Sequence, residues 1–186
     1  MKRILDVLLV VLLGGVFLLP MVCIALAVKF SSKGPILYWS DRVGKNNIIF
    51  SMPKFRTMLT NTPPVATHLL IDPANYLTTI GPFLRKSSLD ELPQLWCVLK
   101  GGMSLVGPRP ALFNQADLIA LRTREGVHQL RPGITGWAQV NGRDELNLID
   151  KVSLDVQYLK RQSLRFDIKI IWMTILKVLR RDGVIH

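Results

Sequence analysis

Val7–Val28 reads VLLVVLLGGVFLLPMVCIALAV and contains no charged residue. A helix needs about 20 apolar residues to cross the hydrocarbon of a bilayer, so the run is long enough to enter one. It is too long for the apolar core of a secretory signal, and no small-residue cleavage site follows. Pro20 lies inside the run and must kink or break a helix. Gly14-Gly15 weakens the helix further. Lys2 and Arg3 precede the run, and Lys29 and Lys33 follow it. Cations favour the cytoplasmic side, so both flanks belong there. One straight span cannot satisfy both flanks. A re-entrant helix–break–helix over residues 1–33, turning at Pro20 and returning to the same face, can. This reading is preferred to the straight span. Backbone groups freed at the break would need partners within the protein. Asp6 is expected at headgroup level beside Lys2 and Arg3.

The remainder, residues 34–186, is long enough for one domain with a real core. The 186-residue chain has a net charge of +11 and is 49% hydrophobic. The charge calls for a polyanionic partner, and the apolar content turns that expectation toward a membrane and phosphorylated substrates. Cys23 and Cys97 are the only cysteines, and His68, His128 and His186 are scattered. A disulfide framework and a zinc site are therefore not indicated.

Past the membrane run, Ile36–Trp39 and Ile48–Phe50 predict two strands of a hairpin, with turn residues across Asp41–Asn47. Tyr38 and Trp39 suit either a lipid interface or the core. Lys54-Phe55-Arg56-Thr57-Met58 alternates cations with apolar residues, as a strand with one polar face does. Leu59–Tyr76 holds Pro63, Pro64 and Pro73 and reads as a long loop, suited to a substrate lid. Thr78–Lys86 predicts a short helix.

Arg85-Lys86-Ser87-Ser88-Leu89-Asp90-Glu91-Leu92-Pro93-Gln94-Leu95 then places two adjacent carboxylates where a helix begins. Ser88 and Glu91 match a capping box. Pro93 fits better with Asp90 as the cap, because proline is tolerated only in the first turn. In either register Asp90 and Glu91 lie beside outward-pointing N–H groups, which favour negative charge. One carboxylate could attack a phosphorus while the other holds a metal; simple capping is the plainer alternative.

Leu92, Leu95, Trp96 and Leu99 share a helical face up to Lys100, and Gly101-Gly102 ends it. In Val106-Gly107-Pro108-Arg109-Pro110, an arginine between two prolines sits on a stiff backbone. Its planar fork suits two phosphate oxygens. Leu112–Glu125 predicts a helix. Arg131–Arg143, RPGITGWAQVNGR, is rich in glycine, arginine and amide groups, suited to gripping a phosphorylated nucleotide. Leu146–Lys160 predicts another helix. In Asp167–Arg181 the residues Ile168, Ile171, Trp172, Ile175 and Leu179 share one face, with Lys169, Lys177, Arg180 and Arg181 toward another. Such a basic amphipathic helix suits an anionic membrane surface or the protein's own core. The fold class expected is α/β, mostly helical with a small β-hairpin.

Taken together, the chain resembles the monotopic bacterial phosphoglycosyl transferases, the bacterial sugar transferase group. The resemblance runs from Lys2-Arg3-Ile4-Leu5-Asp6 to the terminal basic helix. It rests on Lys54-Phe55-Arg56-Thr57-Met58, Ser88–Leu95, Val106-Gly107-Pro108-Arg109-Pro110 and Arg131-Pro132-Gly133-Ile134-Thr135-Gly136-Trp137, in that order. The length resembles the minimal members. The resemblance implies a ping-pong transfer of a sugar phosphate from a UDP-sugar to polyprenol phosphate at the cytoplasmic face of the bacterial inner membrane. It implies Asp90 as the nucleophile, Glu91 as a ligand of Mg2+, and Lys54, Arg85, Arg109, Arg131, Gln139 and Arg143 as substrate-binding candidates. Anionic lipids are expected partners and nucleic acid is not. Where the family usually has Lys-Gly-Asp-Met-Ser, this chain has Lys100-Gly101-Gly102-Met103-Ser104, and where many members have Ser-Pro it has Leu19-Pro20. Two other functions are compatible with such a chain: a membrane-tethered nucleic-acid binder and an idle scaffold for glycan assembly. The cations are interleaved with glycine-proline loops rather than gathered on a recognition helix, which disfavours the first. The intact Asp90-Glu91 pair disfavours the second.

Overall fold

A computed structural model describes residues 1–63, 72–142 and 146–180. The protein is a mixed α/β structure, mostly helical, with two small sheets. Helix α1, Lys2–Ser31, has a mean hydropathy of 3.0 and is the one described helix long and apolar enough to cross a membrane.

The helix runs through Pro20 without an interruption in its helical assignment, so the expected break is not a loss of helix. Proline removes one backbone donor, but the strongly helical leucines and methionine around it carry the chain on. Both ends of α1 return to the rest of the protein. Near the start, Lys2 Nζ lies 2.6 Å from Asp167 Oδ2, and the Arg3 guanidinium donates to the carbonyls of Val98 and Leu99. Asp6 is buried, accepting from Ser104 Oγ at 2.8 Å and from Leu105 N at 3.1 Å. It is a structural acceptor in the core, not a headgroup-level carboxylate, because two buried donors need it. Near the end, Met21, Ile24, Ala25 and Val28 pack with Phe55, Leu84, Leu89 and Leu92. Between these anchors Val11, Leu12, Val16, Leu18 and Leu19 are exposed.

Strand β1, Leu37–Val43, pairs antiparallel with β2, Ile49–Phe55. The hairpin is longer than expected. Asp41–Val43 is strand, and the turn is confined to Gly44–Ile48, where Asn46 and Asn47 take positive φ. Pro53 is tolerated because β2 is an edge strand. The short helix α2, Gly81–Lys86, ends before the Asp-Glu stretch. There the expected capping box does not form: Ser88 has φ 55° and caps nothing with its side chain. Leu89–Gln94 is a 3-10 turn, and α3, Leu95–Lys100, follows it.

Beyond α3, β3, Ser104–Val106, pairs in parallel with β5, Gly133–Thr135. Neither strand was expected; three residues are too few to show alternation. Strand β4, Ala111–Leu112, adds to β1, so helix α4 starts later than expected, at Ala116, and ends at Arg124. The one-turn helix α5, Trp137–Val140, is followed by α6, Leu148–Arg161, whose cap Asn147 accepts from Asp150 N at 2.8 Å. Helix α7, Leu164–Arg180, does two things. Ile170 is fully buried in the core with Val10, Val98, Met103, Val106 and Tyr158, while Ile168, Trp172 and Ile175 stay exposed.

Candidate active site

The β1–β2 register aligns Tyr38 with Lys54, Ser40 with Met52 and Arg42 with Phe50. Side chains alternate along strands, so these pairs share one face of the sheet. The 3-10 turn Leu89–Gln94 packs against β2. Asp90 and Glu91 therefore meet a sheet face that carries two cations. Leu89 and Leu92, on either side of the acidic pair, rest against α1.

Asp90 is only 6% exposed. Burial and then the neighbouring charge of Glu91 push its carboxyl from 3.8 up to about 6, against the pull of Lys54, Arg85 and Arg109. Lys54 feels the opposite effect. Desolvation lowers its ammonium pKa, while Asp90 and Glu91 hold it up. The aromatic ring of Tyr38 lies 5.9 Å from Lys54 Nζ. Arg85 donates from Nε to Thr57 Oγ1 at 2.9 Å, and burial lowers its pKa against the pull of Asp90. Arg109 Nη2 lies 2.9 Å from Glu91 Oε1 in a partly exposed ion pair.

Arg109 is held by its own backbone as well as by the prolines. Arg122 Nη1 donates to the Arg109 carbonyl at 2.8 Å. The same guanidinium gives Nε and Nη2 to Asp155 Oδ2, at 2.9 and 2.7 Å, in a buried pair. Burial pushes the Asp155 carboxyl up, and Arg122 opposes this. Sequence reasoning missed Arg122, Asp155 and Arg42. Arg42 lies in the turn-like run Asp41–Asn47, and only the longer β1 puts it on the face with Lys54.

The structure thus gathers Lys54, Arg85 and Arg109 around Asp90 and Glu91. Arg131 is exposed and is not among the charges acting on Asp90. Gln139 donates to the Ile134 carbonyl at 3.4 Å, and its buried Oε1 has no partner among the described residues. Arg143 lies outside the described residues. The glycines of the Arg131–Trp137 stretch have a different task from the expected approach to a ligand. A Cβ on Gly133 would stand 2.1 Å from Gly107 N, and one on Gly136 2.1 Å from Gly107 O. They let two backbones touch, which is how this stretch locks onto the Arg109 loop. Trp137 packs on Phe166, at 5.0 Å between centroids, and donates to Gln157 Oε1 at 3.1 Å. At Gly102, a Cβ would meet only the Cys97 carbonyl and Phe50 within 4 Å, both at 3.8 Å.

Among the described residues, no group of three metal-type side chains could hold an ion unaided. Mg2+ commonly takes one or two carboxylates and completes its shell with phosphate oxygens and water. Glu91 is of the residue type that such a donor set uses.

A buried carboxylate beside a second one, ringed by cations, is equipped to receive a phosphorylated substrate. The chain is 40% identical to the UDP-glucose:undecaprenyl-phosphate glucose-1-phosphate transferase of Escherichia coli strain K12, over 95% of this chain and 40% of that protein. It is 39% identical to the undecaprenyl-phosphate galactose phosphotransferase of Salmonella typhimurium, over 81% of this chain and 34% of that one. An uncharacterized sugar transferase of Bacillus subtilis matches at 42% over 84% of this chain and 76% of its own length. The chain thus spans less than half of the two relatives whose activity is named. With residues 1–181 also matching the family described as bacterial sugar transferase, the chain belongs to that family.

Proposed function

We propose that this protein transfers a sugar 1-phosphate from a UDP-sugar to undecaprenyl phosphate, releasing UMP, as a membrane step in the synthesis of a polysaccharide or other glycoconjugate. The observation that carries this is the buried Asp90 beside Glu91, faced by Lys54, Arg85 and Arg109. The named activities of relatives that share 39–40% identity with the chain support it.

Asp90 is the nucleophile. One of its oxygens attacks the sugar-bearing phosphorus and forms an acyl phosphate, and the nucleotide leaves as UMP. The lipid phosphate then attacks the same phosphorus and regenerates the carboxylate. A value near 6 leaves Asp90 ionised at neutral pH yet more basic than an ordinary carboxylate, which suits a nucleophile. Lys54, Arg85 and Arg109 bind and orient the phosphates and offset the repulsion between two anions. When bound at Glu91, Mg2+ would neutralise diphosphate charge and aid departure of the leaving group.

The second substrate is a lipid whose phosphate stays at headgroup depth. In this reading residues 1–33 enter and leave the membrane on one side through the continuous helix α1, and residues 34–186 form the catalytic domain on the cytoplasmic face. Both ends of α1 contact the same folded body, which favours a helix that enters and leaves on one side. The exposed Ile168, Trp172 and Ile175 of α7 would rest among anionic lipids.

The test is UMP release from a panel of UDP-sugars with undecaprenyl phosphate and Mg2+. The expected result is turnover with one sugar or a small set, and no turnover or trapped phosphosugar adduct with Asp90→Asn. Silence across the panel, or normal turnover by the variant, rejects the reading.

A further inference from the structure

One more cation stands on this sheet face. Arg42 lies one aligned pair beyond Ser40–Met52 from Lys54, on the same side of the hairpin. Its hydrogen bonds are modest for a guanidinium: Nε to Ser40 Oγ at 3.1 Å and Nη1 to the Pro110 carbonyl at 3.4 Å. Among the described residues it forms no ion pair. The Pro110 carbonyl ties it to the loop that carries Arg109, and Arg109 reaches Glu91. Arg42 and Arg109 are therefore joined through the Pro110 carbonyl at the end of the site where Arg109 meets Glu91. Cations brought together in this way suit a phosphate oxygen between them.

Position along the strand separates the two cations. Arg42 is four residues along β1 from the Tyr38–Lys54 pair, about 13 Å at about 3.3 Å per residue. Lys54 stands at one end of the face, and Arg42 stands at the other, beside the Pro110 carbonyl and the loop of Arg109.

We propose that Arg42 binds the nucleotide-side phosphate of the donor and stabilises it as it departs. This rests on the transfer reaction proposed above. In the first half-reaction, an Asp90 oxygen forms a bond to the sugar-bearing phosphorus. The bond from that phosphorus to the bridging oxygen breaks, and its electron pair stays on that oxygen. The bridging oxygen becomes a terminal oxygen of UMP, whose phosphate gains one negative charge. Arg42 meets that charge. In the second half-reaction the nucleotide has gone and the leaving group is Asp90 itself, so Arg42 has no part to play.

The two halves separate in steady-state kinetics of a ping-pong enzyme, because kcat/KM for each substrate reports only its own half. Arg42→Gln should lower kcat/KM for the UDP-sugar about 10- to 100-fold, the range for losing a hydrogen bond to a charged group. It should leave kcat/KM for undecaprenyl phosphate within about twofold of wild type and weaken product inhibition by UMP about tenfold or more. Arg42→Lys keeps the charge and most of the packing; it should show the same pattern in smaller degree and guards against a misfolded glutamine variant. A residue that merely props the Arg109 loop would depress both ratios together. Equal falls in both ratios, no fall in either, or a fall confined to the lipid substrate overturns the proposal. Failure of the underlying reaction would show separately, as wild-type protein without UMP release or without parallel-line kinetics.

Discussion

Asp90→Asn should abolish transfer and, in the same molecule, make the fold harder to unfold. The Asp90 carboxyl shifts from 3.8 to about 6 in the folded protein, through burial first and Glu91 second. A carboxyl that holds its proton more tightly when folded weakens the native state once it ionises. The penalty is absent below the unfolded value, grows between the two values and is complete above the folded one. At about 1.4 kcal/mol per pH unit, the ionised carboxylate costs the native state about 3 kcal/mol at pH 8. Asparagine has the same shape without the charge and should recover most of that. For a chain of this size the gain corresponds to a rise in Tm of about 6–12 °C. At pH 4 wild-type Asp90 is itself largely neutral, so the difference should shrink to a small residue. The assay is thermal unfolding in detergent micelles, followed by tryptophan fluorescence at pH 8 and pH 4, without nucleotide or divalent ions. Equal melting at pH 8, or a gain of the same size at pH 4, would refute the assignment of Asp90 as a strained, charged group.

Three further outcomes are expected. Arg122→Met leaves the Asp155 carboxylate buried without its counter-charge and should destabilise the protein by about 3–5 kcal/mol; adding Asp155→Leu should restore most of this in the same unfolding assay. The burst of UMP release should fall as pH drops through about 6, where Asp90 takes up its proton. In Arg85→Gln that acid limb should move to higher pH, because a charge that holds Asp90 down is gone; an unmoved limb would show that Arg85 acts elsewhere. Gly133→Ala forces a methyl to within 2.1 Å of the Gly107 backbone nitrogen, so it should lose at least about 1–3 kcal/mol and much of the folded yield, read by size-exclusion chromatography.

An Asp-Glu doublet and an arginine between prolines stand out by residue type alone. Lys54 and Arg85 do not; only the resemblance to a known family singles them out. The long apolar helix and the two C-terminal helices were legible from run length and period. Arg42 was hidden because Asp41–Val43 resembles a turn, and only pairing with Ile49–Ser51 makes it strand. The partnership of Arg122 and Asp155 spans separate helices, so local spacing is silent about it. The β3–β5 contact was hidden for another reason. Its glycines serve a backbone-to-backbone approach, and sequence alone cannot tell that from an approach to a ligand. The capping box failed because Ser88 turns left-handed and Leu89–Gln94 winds as a 3-10 turn.

The first helix is stitched into the folded body at two places, through Lys2, Arg3 and Asp6 and again through Met21–Val28. Cutting it away would strand the hydroxyl of Ser104 and the amide of Leu105 and strip the cover from Leu84 and Phe55. The greasy element is thus a wall of the building and not a mooring rope. A water-soluble remnant made by trimming it off would lack part of its own interior.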